Sequence, residues 1–316
     1  MTTPAAISYH VTSSPETLWR RVWASGRVRW GGGVLLAVFL LCVLTLPMTL
    51  SPESVLYYDG QKSLPGLAPP AAAVPQWFGS DLLGRSVLAR CLVGGAISML
   101  IGVSAAAISV VLGLTVGLLA GFKGGWVDSA LMRFVDVLYG LPYFLLIILL
   151  KVAFERPLAA VIGSPQAANL VVLFAAIGLV SWLTMARVVR GQVLSLRSQP
   201  FIEAARAMGL PPMRIFLRHI LPNLIGPVTV YATLIIPQAI LQESFLSFLG
   251  VGINPPLPTW GSLAGEAKDY ALSILNPRWW LLVFPCAMLG LTLLCLNFLG
   301  DGLRDVFDPK REAAKL

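Results

Sequence analysis

QPFIEAARAMGLPPMRIFLRHILPN, residues 199–223, is a polar island between two apolar runs that are each long enough to cross a bilayer. Pro200 suits the first turn of a helix with Ser198 or Gln199 capping it, Gly209 suits a stop, and Pro211 or Pro212 opens a second helix. The stretch therefore reads as helix, tight turn, helix. Glu203, Ala204, Ala205 and Gly209 give the first helix a small-residue surface that lets another protein approach closely, while Arg206, Arg214, Arg218 and His219 make the rest cationic. A helix lying on the membrane surface would also carry arginines, but it requires neither a glycine turn nor the Leu221-Pro222 step at a fixed distance.

The flanking runs decide the class. Of 316 residues, 57% are hydrophobic and 12% charged, outside the soluble globular range. A hydrocarbon core of about 30 Å takes about 20 helical residues, and six runs qualify: 33–50, 92–122, 131–154, 170–186, 224–249 and 279–300. With the N-terminus inside, 16 of the 23 Lys and Arg fall on the cytoplasmic side, among them Arg20, Arg21, the six arginines from Arg187 to Arg218, Lys310, Arg311 and Lys315. This bias predicts a multi-pass protein with both termini and the island in the cytoplasm. Trp19, Trp23 and Trp30 suit the headgroup level before the first span, which reads as a retained anchor. The basic residues behind the net charge of +8 are dispersed beside spans, so no nucleic-acid partner is implied. Cys42, Cys91, Cys286 and Cys295 read as buried free thiols. No catalytic or metal-binding set emerges, because His10 and His219 are far apart, and no Gly-Lys-Ser/Thr phosphate loop occurs.

Outside the island the informative positions lie at span ends. The 51–90 outer loop contains APPAAAVP (68–75), which reads as an extended, poorly packed connector. It closes on FGSDLLGRSVLAR (78–90), where Asp81, Gly84 and Arg85 suit a structured turn, with an ordinary loop as the alternative. Gly113, Gly117 and Gly121 at every fourth residue clear one helix face for a neighbour. Arg133 and Asp136 are spaced to pair along one helix, and 151–169 reads as a second outer loop without chemistry. In the fifth run Pro227 and Pro237 predict bends, and Gln238, Gln242 and Glu243 follow. A carboxylate at membrane depth costs about 2.5–3.5 kcal/mol, so Glu243 is expected at a cavity or a partner. Its place about 9 Å of helix from the outer end leaves an interfacial position open. Gly250 and Gly252 end that helix, prolines stiffen the exit, and Trp260 offers an interfacial anchor.

The island resembles the EAA loop of bacterial ABC importer permeases, with Glu203, Ala204, Ala205, Gly209, Leu221 and Pro222 in register and His219 where the general pattern has Ile. The variant RHILPN (218–223) looks like the peptide-transport branch, and SFLSFLGVGINPPLPTWG (244–261) resembles the outer loop of the peptide and nickel branch. The 78–90 segment, the 125–142 segment with Asp128, Met132 and Pro142, and the closing GDGLRDVFDPK (300–310) are similar to further stretches of that family.

The resemblance implies an all-α integral membrane protein with six transmembrane helices, the type I importer permease fold and a cytoplasmic coupling helix. The expected organisation is a cytoplasmic segment 1–32, a first helix and outer loop 33–77, a permease domain 78–300 and a cytoplasmic tail 301–316. It further implies ATPase coupling by Glu203, Ala204, Ala205, Arg206, Gly209, Leu221 and Pro222, and a translocation path or gate including Gln242, Glu243, Ser247 and Trp260. The implied partners are a second permease subunit, two ATPase subunits that use ATP and Mg, an extracytoplasmic solute-binding protein and the lipid of a bacterial inner membrane. This chain itself is expected to bind no cofactor and to be no enzyme. Cargo stays open between dipeptides, oligopeptides and nickel complexes, and the rival reading is an ion-coupled secondary transporter.

Overall fold

The computed structural model describes residues 20, 22–274 and 276–307. The expectations for His10, Trp19, Arg21, Lys310, Arg311, Lys315 and both termini lie outside those residues. Apart from one bridge between Ser80 and Ser86, the regular secondary structure of the described residues is helical. Helix α1 runs Gly26–Leu44 and continues beyond Thr45 as α2, Leu46–Leu50. Then come α3 (Val87–Lys123), α4 (Gly125–Tyr139), α5 (Tyr143–Ile162) and α6 (Pro165–Arg197). The island forms α7 (Pro200–Ala207) and α8 (Pro212–Ile215), and α9 (Leu221–Phe248), α10 (Trp260–Ala271) and α11 (Trp280–Phe307) complete the chain.

Five rods among the described residues are long and apolar enough to cross a membrane: Gly26–Leu50, Val87–Lys123, Pro165–Arg197, Pro212–Phe248 and Trp280–Phe307. Helices α4 and α5 make a sixth span only as a pair bent by 91°. The continuous span expected over 131–154 is therefore broken. Pro142 stands at φ −58, ψ 121 before α5; its ring disfavours helical geometry at Leu141, so the chain turns and restarts. Helix α5 also continues through residues expected to be outer loop, to Ile162.

The centre of the bundle is the packing of α3 on α6. A Cβ added at Gly113 would stand 2.5 Å from the Met185 Cβ, one at Gly117 2.7 Å from the Ala186 carbonyl oxygen, and one at Gly121 2.7 Å from the Val193 Cβ. The small face seen in the sequence thus meets α6 along its length. The first helix begins at Gly26, earlier than residue 33, because Gly31 lets it lie against α11: a Cβ there would be 2.8 Å from the Cys295 carbonyl oxygen. The second island helix and the fifth span, expected as separate pieces, are one rod from Pro212 to Phe248. Their junction is a π turn over Phe216–Ile220, with the Leu221 N–H donating to the Phe216 carbonyl. Pro222 has no N–H for the Arg218 carbonyl and crowds it, and the widened turn accommodates that. Pro227 and Pro237 lie inside α9 without ending it.

Several local expectations are corrected. Asp136 accepts from Arg187 at 2.7 Å across to α6, not from Arg133, and Asp128 takes a two-pronged contact from Arg190 at 2.5 and 2.7 Å. A neighbouring helix supplied better-placed guanidinium groups than α4 itself. Asp305 is engaged by Arg27 at 3.0 Å. Cys42, Cys91 and Cys295 are buried, but Cys286 is exposed on the surface of α11. The 68–75 connector is stitched down: the Ala68 N–H donates to Ser80 Oγ, the Trp77 indole to the Ala72 carbonyl and Ser86 Oγ to the Pro75 carbonyl.

Gly117→Leu should force α3 and α6 apart, at a cost of about 1–3 kcal/mol or more. Gly191→Ala, where no atom lies within 4 Å of an added Cβ, should be neutral. Thermal unfolding of the two purified variants in detergent checks this; equal midpoints would refute the packing argument.

Candidate functional site

At the island end, Gln199 is extended (φ −78, ψ 143) and Pro200 occupies the first position of α7, with no side-chain cap. Ile202 and Ala205, three residues apart, turn inward and are buried in a cluster with Val193, Ile215, Ile220 and Leu224. Ala205 is therefore a packing residue and is removed from the approach surface expected of it. Glu203, Ala204 and Arg206 point outward, Leu221 is half-buried and Pro222 is exposed. Gly209 adopts φ +76, the Gly209 N–H donates to the Arg206 carbonyl and the Leu210 N–H to the Ala205 carbonyl. This is the paired closure that a left-handed residue permits at a helix end.

Residues 198 and 199 alone separate α6 from α7, so the short helix is carried directly by a rod packed along α3. Arg197 strengthens this corner by donating to the carbonyls of Gly121 and Phe122 at the end of α3. Phe201, Met208, Met213 and Leu217 are exposed around the polar positions. The sequence reading missed this apolar surface, although methionine and phenylalanine inside an otherwise polar island were its visible signal.

At the other end of the rods, three of the residues expected on a path or gate are gathered inside the chain. Glu243 is fully buried and accepts from Ser247 Oγ at 2.6 Å and from Ser98 and Ser244 Oγ at 3.5 Å. Trp260, which taken alone offered an interfacial anchor and which the resemblance placed at a path or gate, is fully buried; its indole N–H donates to the Cys91 carbonyl at 3.0 Å and its backbone N–H to Ser98 Oγ. The ring is held there because Gly95 leaves room for it, a Cβ at that position lying 2.6 Å from the indole. Thr259 and Ser262 cap α10 reciprocally. Together these contacts bind α3, α9 and α10. Gln242 is separate from them, half-buried, on the wall of a cleft beside Tyr143.

Two further polar groups hold the segments at this end of the rods. Lys151, mostly buried, donates to the Val251 carbonyl at 2.7 Å and also to the Gly252 carbonyl, past the end of α9. A cation there complements the negative end of the helix. Glu155 accepts from Asn169 and Asn254, each at 3.1 Å, tying the same loop to α5 and α6. Neither was singled out in the sequence, since three of their four partners, the Val251 and Gly252 carbonyls and the Asn254 amide, lie about a hundred residues away. Asp81 does form the structured turn: it accepts the Leu83 and Arg85 N–H groups and the side chains of Arg85 (2.7 Å) and Arg90 (2.9 Å). Arg90 also reaches Glu266 on α10 at 2.7 and 3.1 Å.

Comparison with known proteins gives a family match. The model of the "binding-protein-dependent transport system inner membrane component" family matches residues 113–313. The chain is 39% identical over 295 residues to the oligopeptide transport system permease protein OppC of Haemophilus influenzae, covering 92% of this chain and 89% of that one. It is 40% identical to the dipeptide transport system permease protein DppC of Bacillus subtilis over 94% of this chain and 86% of that one, and 41% identical to OppC of Escherichia coli K12 over 93% and 92%. Among solved structures, the MetNI methionine ABC transporter in an inward-facing conformation superposes with a TM-score of 0.53 at 19% identity, over 69% of this chain and 97% of that one, a likeness of fold.

Lys151→Met should free the loop after α9 while leaving the rods in place. Hydrogen exchange of residues 250–258 is expected to quicken by about tenfold, corresponding to loss of about 1–2 kcal/mol of local protection; exchange as slow as in the unsubstituted protein would show that the lysine does not hold the loop.

Proposed function

The chain belongs to the family of binding-protein-dependent transport system inner membrane components, and we propose that it forms half of the translocation path of a peptide importer. It is a permease subunit of an ABC importer, which sets aside the ion-coupled secondary transporter. In that class energy comes from ATPase partners and cargo from a substrate-binding protein. Peptides are favoured over nickel complexes by the oligopeptide and dipeptide transport names of relatives about 40% identical over nearly the whole length.

The observation that carries the mechanism is the mounting of α7. Its inner face is locked to the bundle through Ile202 and Ala205, its outer face offers Glu203, Ala204 and Arg206, and its two ends connect to the rods α6 and Pro212–Phe248. A subunit gripping that outer face moves both rods together. In this reading α7 is the coupling helix in the cytoplasm, assisted by the exposed Phe201, Met208 and Met213. Two ATPase subunits hold the ATP and Mg, a second permease subunit supplies the other wall of the path, and both termini lie on the α7 side. Glu243, Ser247 and Trp260 act on the gate from inside, by fixing the outer segments to α3. The setting is a bacterial inner membrane.

Glu203→Lys reverses charge on the gripped face without touching the packing, and Gly209→Val strains the φ +76 turn. In proteoliposomes with the ATPase subunits and binding protein, either should insert normally and lower peptide uptake per ATP hydrolysed by about tenfold. Unchanged uptake in both would remove α7 from the coupling role.

A further inference from the structure

At the break between α4 and α5 the chain exposes irregular backbone and polar side chains at membrane depth. Gly140, Leu141 and Pro142 are exposed. Around them Tyr139, Tyr143, Ser181, Thr184, Gln238 and Gln242 line a cleft of about 370 Å³ whose remaining walls are aliphatic and proline. None of its lining residues is charged. Gln238 and Thr184 are exposed, as are both tyrosines. Gln238 stands ten residues before Phe248, hence about 15 Å along the helix, half of a hydrocarbon core about 30 Å thick. Irregular backbone and exposed amides at that depth are not compatible with lipid; they require water or protein opposite. A second sign is Gln242, whose buried Oε1 has no hydrogen-bond partner among the described residues.

Every polar side chain in the cleft can both donate and accept a hydrogen bond. Gln238 and Gln242, four residues apart, present two amides on one face of α9, the same functional group that repeats along a peptide main chain. Resting on the peptide-importer reading above, we propose that this cleft is the wall against which the cargo's main-chain amides exchange hydrogen bonds in passage. Being uncharged, it discriminates little between cargo side chains. The cluster around Glu243 keeps the nearby carboxylate buried and hydrogen-bonded to serines of the chain, so its charge does not enter the cleft.

The test uses the complete transporter in proteoliposomes, with trilysine and triglutamate as cargo. Each variant's uptake is divided by that of the unsubstituted transporter for the same peptide, which cancels the binding protein's own preference. Gln238→Glu is expected to shift the trilysine-to-triglutamate ratio about tenfold upward and Gln238→Lys about tenfold downward. Opposite shifts cannot come from misfolding, which lowers both peptides alike. A ratio that stays constant, or moves the same way in both variants, overturns the assignment of the cleft. An unsubstituted transporter that moves neither peptide instead fails the peptide-importer reading, before any variant is compared.

Discussion

The close approach of α3 and α6 is the contact on which the other placements depend. Three glycines bring two long rods near enough for backbone to meet side chain, and in lipid such fit has to supply much of what water exclusion supplies in a soluble core. Because α6 leads within two residues into α7, the contact also holds the exposed helix in place. Arg197, donating to the last carbonyls of α3, makes that corner a joint between two rods.

At the opposite end the organising principle is polar satisfaction. A buried carboxylate is tolerated because three serine hydroxyls converge on it, and the same Ser98 takes the backbone N–H of Trp260. Lys151, Glu155 and the Asp81–Arg90–Glu266 cluster tie loops that would otherwise leave carbonyls and charges bare at the membrane edge. The segments at that end are therefore specified by hydrogen bonds and the middle of the bundle by shape.

Features that one segment determines by itself were legible in the sequence. The four-residue glycine spacing, the Gly209 stop, the Pro212 start and the Asp81 turn all follow from local backbone rules. What escaped depended on a second element. Arg133 was the nearest partner for Asp136 along the chain, but α6 brought Arg187 closer. Ala205 looked like part of a contact face because helical spacing says which residues share a side, not which side turns inward. Trp260 taken alone offered an interfacial anchor because nothing local announces the space left by Gly95. The break at Pro142 was visible as a proline, but a proline alone does not give the size of the turn, 91°.

The unbroken rod from Pro212 to Phe248 has a mechanical consequence. Its 37 residues measure about 55 Å at 1.5 Å per residue, considerably more than the thickness of the oily layer. Pivoted near one end, such a lever amplifies: a tilt of about 5° at the island tip sweeps the far tip through about 5 Å. A small angular stroke at one end of the rod is therefore enough to shift its other end by the width of an amino-acid side chain.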